Sequence, residues 1–208
     1  MSNEVKTKEK VNLDPKYLIK LTVTLFLTCC VVAGALGAVN MVTEGPIAEI
    51  NKAKTEAAMK AVVADPDNST FSDALALTEE MTAAALAGGG TLTEAYEVQV
   101  GGAAAGHALK VVASGSQGNI EMMVGLDADG AVTGVSVVKN AETAGIGSKV
   151  MENEPTAKGV GVLDQFIGKN TADLSVGSSV DAITGATVST KGVTTGVNAA
   201  IAVGGVLN

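Results

Sequence analysis

Ile120-Glu121-Met122-Met123-Val124-Gly125-Leu126-Asp127-Ala128-Asp129-Gly130-Ala131-Val132-Thr133-Gly134-Val135-Ser136-Val137-Val138-Lys139 is two β-rich runs around a turn. An Asp-Gly pair supplies the positive φ values that a tight hairpin requires, so the runs Ile120 to Asp127 and Ala131 to Lys139 are expected to pair antiparallel. Upstream, Ala95 to Val100 and Ala108 to Ser114 have the same character, with Gly-rich or polar joints between them. The four together predict a β-meander. Downstream the pattern changes to loops, with a helical turn expected over Val162 to Ile167. The chain then closes on a Thr/Val/Ala segment, about Ser189 to Leu207, that reads as a buried helix. No internal repeat is present. The expected class is α+β: an antiparallel sheet flanked by helices, with one N-terminal transmembrane helix.

The N-terminal part carries the membrane signal. Leu21 to Thr43 are 23 consecutive uncharged residues, and at ~1.5 Å per residue such a helix spans a hydrocarbon core of ~30 Å. A signal peptide would have a shorter apolar core, and Ala35 to Ala38 is only a loose cleavage site. Lys6, Lys8, Lys10, Lys16 and Lys20 outnumber Glu4, Glu9 and Asp14 before the span, giving that tail +2. Glu44 and Glu49 follow it, so the positive-inside rule puts the N-terminus in the cytoplasm and the rest outside. The expected organisation is a cytoplasmic tail over 1–20, a span over 21–43 and an extracytoplasmic domain over 44–208. The order of apolar and charged residues from Ile47 to Ala64 predicts an amphipathic helix starting just after Pro46. Residues 69–90 are Ala-rich with mixed helical signals and end in the loop Gly88-Gly89-Gly90.

Composition narrows the function. All 14 basic residues are Lys, and beyond the span the charge is about −10. With no basic stripe and only 2% aromatic residues, the composition argues against nucleic-acid binding. Lacking Arg, the chain has no bidentate grip for phosphate. Cys29 and Cys30, the only cysteines, lie within the span, where they read as small apolar residues rather than as a lipid anchor. His107, the single histidine, has no ligand-spaced Cys or carboxylate around it, so neither a metal site nor a catalytic triad is expected; it reads as a strand-edge surface residue. The hairpin accounts for Asp127 and Asp129 without calcium.

The most informative segment for chemistry is Asp181-Ala182-Ile183-Thr184-Gly185-Ala186-Thr187-Val188-Ser189-Thr190. A turn of small residues, Gly185 and Ala186, delivers the Thr187 hydroxyl to the start of a helix, where free N–H groups and the positive dipole end favour a phosphate. Small neighbours leave room for a cofactor. The same spacing also describes an ordinary helix cap.

Asp181, Thr184, Gly185, Ala186 and Thr187 together resemble the flavinylation motif of the covalent-FMN subunits of Rnf and Na⁺-translocating NADH:quinone oxidoreductase complexes. The resemblance implies FMN joined by a phosphoester to Thr187, installed from FAD by a flavin transferase; Thr184, Ser189 and Thr190 are the hydroxyls to exclude. Glu142-Thr143-Ala144-Gly145-Ile146-Gly147 resembles the family's Glu-Thr-Pro-Gly-Leu-Gly loop against the flavin, with Ala144 where Pro is usual. Its glycines can bring backbone N–H groups close to a ring or phosphate. The resemblance covers roughly residues 18 to 207, and in length and single span it is to the G subunit of Rnf. It implies an electron-transfer subunit of an ion-translocating ferredoxin:NAD⁺ oxidoreductase in the cell membrane, with no complete active site of its own. Implied partners are other membrane subunits, another flavin-bearing subunit, iron–sulfur subunits and the transferase. Aliphatic contacts, Ile146 and Leu163, are expected to line the ring because aromatics are scarce. Two rival readings are a stand-alone anchored flavoprotein feeding extracellular acceptors and a non-redox surface domain.

Overall fold

A computed structural model describes residues 14–207; the tail residues Glu4, Lys6, Lys8, Glu9 and Lys10 lie outside them. The described chain divides at Ile50/Asn51 into two compact units. The first is formed by the N-terminal part of helix α1, Pro15–Ala61, which contains Pro46. The amphipathic segment expected to begin after Pro46 is therefore the continuation of one helix. Proline removes a single N–H from the ladder, and the helix runs on through Gly45-Pro46 into the Ala-, Glu- and Lys-rich segment after it, whose residues are good helix formers. Within the apolar stretch the hydroxyls of Thr22, Thr24, Thr28 and Thr43 donate to the carbonyls of Leu18, Lys20, Thr24 and Val39 at 2.8 to 3.1 Å. Returning each hydroxyl to its own helix is how a threonine is tolerated in hydrocarbon. Among the described residues this is the one helix long and apolar enough to cross a membrane.

The second unit holds a five-stranded antiparallel sheet in the order β1-β2-β3-β4-β5. The strands are β1 Ser69–Phe71, β2 Thr91–Val100, β3 Ala103–Ser114, β4 Asn119–Asp127 and β5 Val132–Lys139. All four expected strands are present, two of them longer than their apolar cores suggested. The added edge strand β1 and the helix α2, Glu79–Ala87, occupy the Ala-rich region whose signals were mixed. Thr78 caps α2 by accepting from the Met81 N–H. The central hairpin differs in detail from a two-residue turn. Gly130 alone has positive φ (75°), while the Asp127 carboxylate accepts from the N–H groups of Asp129 and Ala131 at 2.9 and 2.8 Å. This is a three-residue loop closed by an Asx bond and a left-handed glycine.

Helix α4, Thr187–Leu207, lies buried across one face of the sheet. Its glycines allow the approach: a Cβ on Gly192 would meet the Ser114 carbonyl at 2.6 Å, and one on Gly196 the Met122 thioether methyl at 2.6 Å. On the opposite face Ala58 and Met59, at the C-terminal end of α1, and Val62 just past it join a smaller cluster with Met123 and Ala108. The Val62 carbonyl accepts from the Thr133 hydroxyl at 2.5 Å and sits over Gly125, where a Cβ would collide with it, while a Cβ on Gly134 would stand 2.9 Å from the Val62 Cα. β4 is thus covered on both faces, which explains its unbroken apolar run. His107 departs from the strand-edge reading. It lies in β3 between Glu97 of β2 and Leu126 of β4, because β3 extends upstream of its apolar core and is an inner strand.

Candidate functional site

The segment 181–190 folds as the sequence suggests, though for partly different reasons. The Ala186 N–H donates to the Ile183 carbonyl at 2.9 Å, closing a turn over Thr184-Gly185. Gly185 adopts φ +86°, the conformation a type II turn demands at its third position. A Cβ there would meet no protein atom within 4 Å, so what the protein itself requires of this glycine is its backbone geometry. Ala186 is small because it is buried. Its carbonyl accepts the first α4 bond, from the Thr190 N–H at 2.9 Å. Thr187 is therefore the first residue inside the helix. The N–H groups of Thr187, Val188 and Ser189 find no acceptor among the described residues, as expected of a helix start.

The four hydroxyls of the segment are not equivalent. Thr190 is fully buried and donates to the Ala186 carbonyl at 3.0 Å. Ser189 is buried and donates to the Glu142 carboxylate at 2.5 Å. Thr184 and Thr187 are exposed, and neither hydroxyl makes a hydrogen bond among the described residues. Of these two, only Thr187 stands at the helix start beside the free N–H groups. Lys191, exposed and one turn further on, shares its face.

Glu142 joins the two segments singled out in the sequence. Besides Ser189, its carboxylate accepts from the N–H groups of Ser116 and Gln117 in the β3–β4 turn, at 2.7 and 3.3 Å. Thr143, Ala144, Gly145 and Ile146 lie beyond it, all four exposed, and the chain then enters the short helix α3, Ser148–Met151. The loop glycines have tasks within the protein itself. Gly145 has φ +75° and donates its N–H to the Ser148 hydroxyl at 2.9 Å. Gly147 is buried, and a Cβ there would stand 2.8 Å from the Ser189 hydroxyl. Ile146 and Val188 leave half or more of their surface open, at 50% and 56%. Leu163, expected beside them, is 6% exposed and belongs to the core; its position next to a 3-10 turn over Asp164–Phe166 directs it inward.

Sequence reasoning missed the groups that hold Asp181. Its N–H donates to Gln165 Oε1 at 2.8 Å, its carbonyl accepts from Gln165 Nε2 at 3.0 Å, and its carboxylate pairs with Lys158 at 2.7 Å. An amide facing a peptide group is a fit that only the three-dimensional structure brings about, and no local pattern announces it. A cleft of about 570 Å³ opens on the other face of the sheet, between Asn51, Met59, Tyr96 and Lys110. Three of its polar groups pair with one another. The Tyr96 hydroxyl donates to Glu94 at 2.6 Å and Lys110 pairs with Glu94 at 3.0 Å. Burial, then the bond to Glu94 and its charge, push the Tyr96 phenol up to about 12. Burial alone would raise Glu94, but the bonds from Tyr96 and Lys110 and the Lys110 charge outweigh it and hold the carboxyl below its usual range.

An FMN-binding domain model matches residues 115–202, the stretch from the β3–β4 turn through most of α4. The G subunit of the Na⁺-translocating ferredoxin:NAD⁺ oxidoreductase complex of Acetobacterium woodii is 35% identical, over 96% of this chain and 97% of its own length. The G subunit of an ion-translocating oxidoreductase complex from Methanosarcina acetivorans is 27% identical, over 90% of this chain and 95% of its own. That of Aliivibrio fischeri is 33% identical over about half of each chain, 51% and 52%. With a relative 35% identical over nearly the full length of both chains and an FMN-binding domain model matched over residues 115–202, this protein belongs to the G-subunit family of Rnf-type complexes and is a membrane-associated FMN-binding subunit.

Proposed function

We propose that Thr187 carries FMN through a phosphoester bond, and that the protein passes electrons as the G subunit of an ion-translocating ferredoxin:NAD⁺ oxidoreductase complex. The observation that carries the first part is the state of the hydroxyls: Thr187 is exposed, without a hydrogen-bond partner among the described residues, and at the start of α4. A helix N-terminus stabilises an anion by only about 0.3–1 kcal/mol, and this chain has no Arg to add a bidentate grip. Such a site holds a phosphate weakly unless a bond does the holding. Bound FMN supplies one- or two-electron chemistry. The residues Asp181, Thr184, Gly185 and Ala186 shape the turn that presents Thr187, and Thr143 and Ile146 form the adjoining wall with aliphatic surface for the ring. The second part rests on the relatives, whose names are those of complexes acting between ferredoxin and NAD⁺ or translocating ions.

The partners in this reading are the other membrane subunits, including one bearing flavin and those bearing iron–sulfur centres, and a transferase that loads the flavin from FAD. The tail over 1–20 lies in the cytoplasm and the domain over 44–208 outside. Coexpression with a flavin transferase, followed by in-gel fluorescence and peptide mapping, tests the attachment. Thr187→Ala should abolish the fluorescent band and Thr184→Ala should keep it; flavin on any other residue refutes the assignment.

A further inference from the structure

Both oxygens of the Glu142 carboxylate are already engaged by the protein itself. One accepts from the Ser189 hydroxyl, and the other from two backbone N–H groups of the β3–β4 turn, Ser116 and Gln117. Three segments far apart in sequence meet at this one group: the turn at 115–118, the loop at 142–147 and the first turn of α4. Gly147 closes the arrangement from below, since a Cβ there would stand 2.8 Å from both Glu142 Cβ and the Ser189 hydroxyl. Bonds to an ionised acceptor are about twice as strong as neutral ones. A carboxylate also meets donors on both sides with acceptors only.

We propose that Glu142 is a positioning residue and not a flavin ligand. Its charge pins the loop 143–147 to α4, so that Thr143 and Ile146 stand beside the Thr187 hydroxyl before any flavin arrives. This rests on the flavin reading of Thr187. Glutamine is an imperfect replacement: with its oxygen kept toward the two backbone donors its NH₂ can donate to the Ser189 oxygen, so the contacts survive only in neutral form and the charge that strengthens them is lost.

The test uses the full-length chain in detergent, with and without coexpressed transferase. Without it, Glu142→Gln should speed amide exchange over residues 143–148 at least tenfold. With it, fluorescence anisotropy measured per attached flavin should fall, and iodide quenching should rise severalfold, as the ring loses its wall. Ser189→Ala removes only the hydroxyl and should produce the same changes to a smaller degree, which keeps the test decisive if the first variant folds poorly. Unchanged exchange, anisotropy and quenching in a folded variant overturn the proposal. A wild type that carries no flavin overturns the reading beneath it instead, and the exchange arm, which involves no cofactor, tells the two failures apart.

Discussion

Gly185 stands at φ +86° with open space around it, so the cost of a side chain there is purely one of backbone conformation. Gly185→Ala should lower stability by about 1–2 kcal/mol, read from chemical denaturation, with flavin loading reduced in parallel because the turn presents Thr187. No loss of either would show the turn to be irrelevant. His107 makes a second prediction at this scale. Burial pushes its imidazole below the usual 6.5, against the opposing influence of Glu97, and its Nδ1 is buried with no partner among the described residues. The folded state therefore prefers neutral His107, while the unfolded chain takes up a proton first as pH falls through 6.5. Stability present above that value should decline on acidification, before the carboxylates begin to titrate. Melting temperatures between pH 7 and 5.5 should slope less in His107→Gln; identical slopes would dismiss the histidine as the cause.

At the scale of elements, the α2 and α4 helices meet at a glycine. A Cβ on Gly88 would stand 2.5 Å from the Ala199 Cα, and that backbone has no flexible tip to yield. Gly88→Ala should cost roughly 1–3 kcal/mol by forcing the helices apart. A melting curve that coincides with wild type would mean the contact yields more readily than a backbone should. The triple glycine thus belongs to a packing surface as well as a loop. Similarly, α4 reads as buried from composition alone, yet what buries it is the sequence of glycine seats over Ser114 and Met122.

For the whole molecule, the span and the domain beyond it make a topological prediction. Both native thiols lie within the apolar stretch of α1, so a cysteine introduced at Lys52, further along the same helix, is a new reporter beyond that stretch. In intact cells Lys52→Cys should react with a membrane-impermeant maleimide; labelling only after lysis would invert the proposed orientation.

Local patterns alone determined the span, four of the strands, the Asp127–Gly130 turn, the terminal helix and the small-residue turn before Thr187. Each of these rests on an apolar period or on the φ a short segment needs, and such information is written within a few residues. The edge strand β1, the inner place of His107, the burial of Leu163, and the Glu142–Ser189 and Gln165–Asp181 links were decided by tertiary structure. Those depend on which distant segments share a face or exchange hydrogen bonds, and a contact across 47 residues leaves no trace in the spacing of either partner.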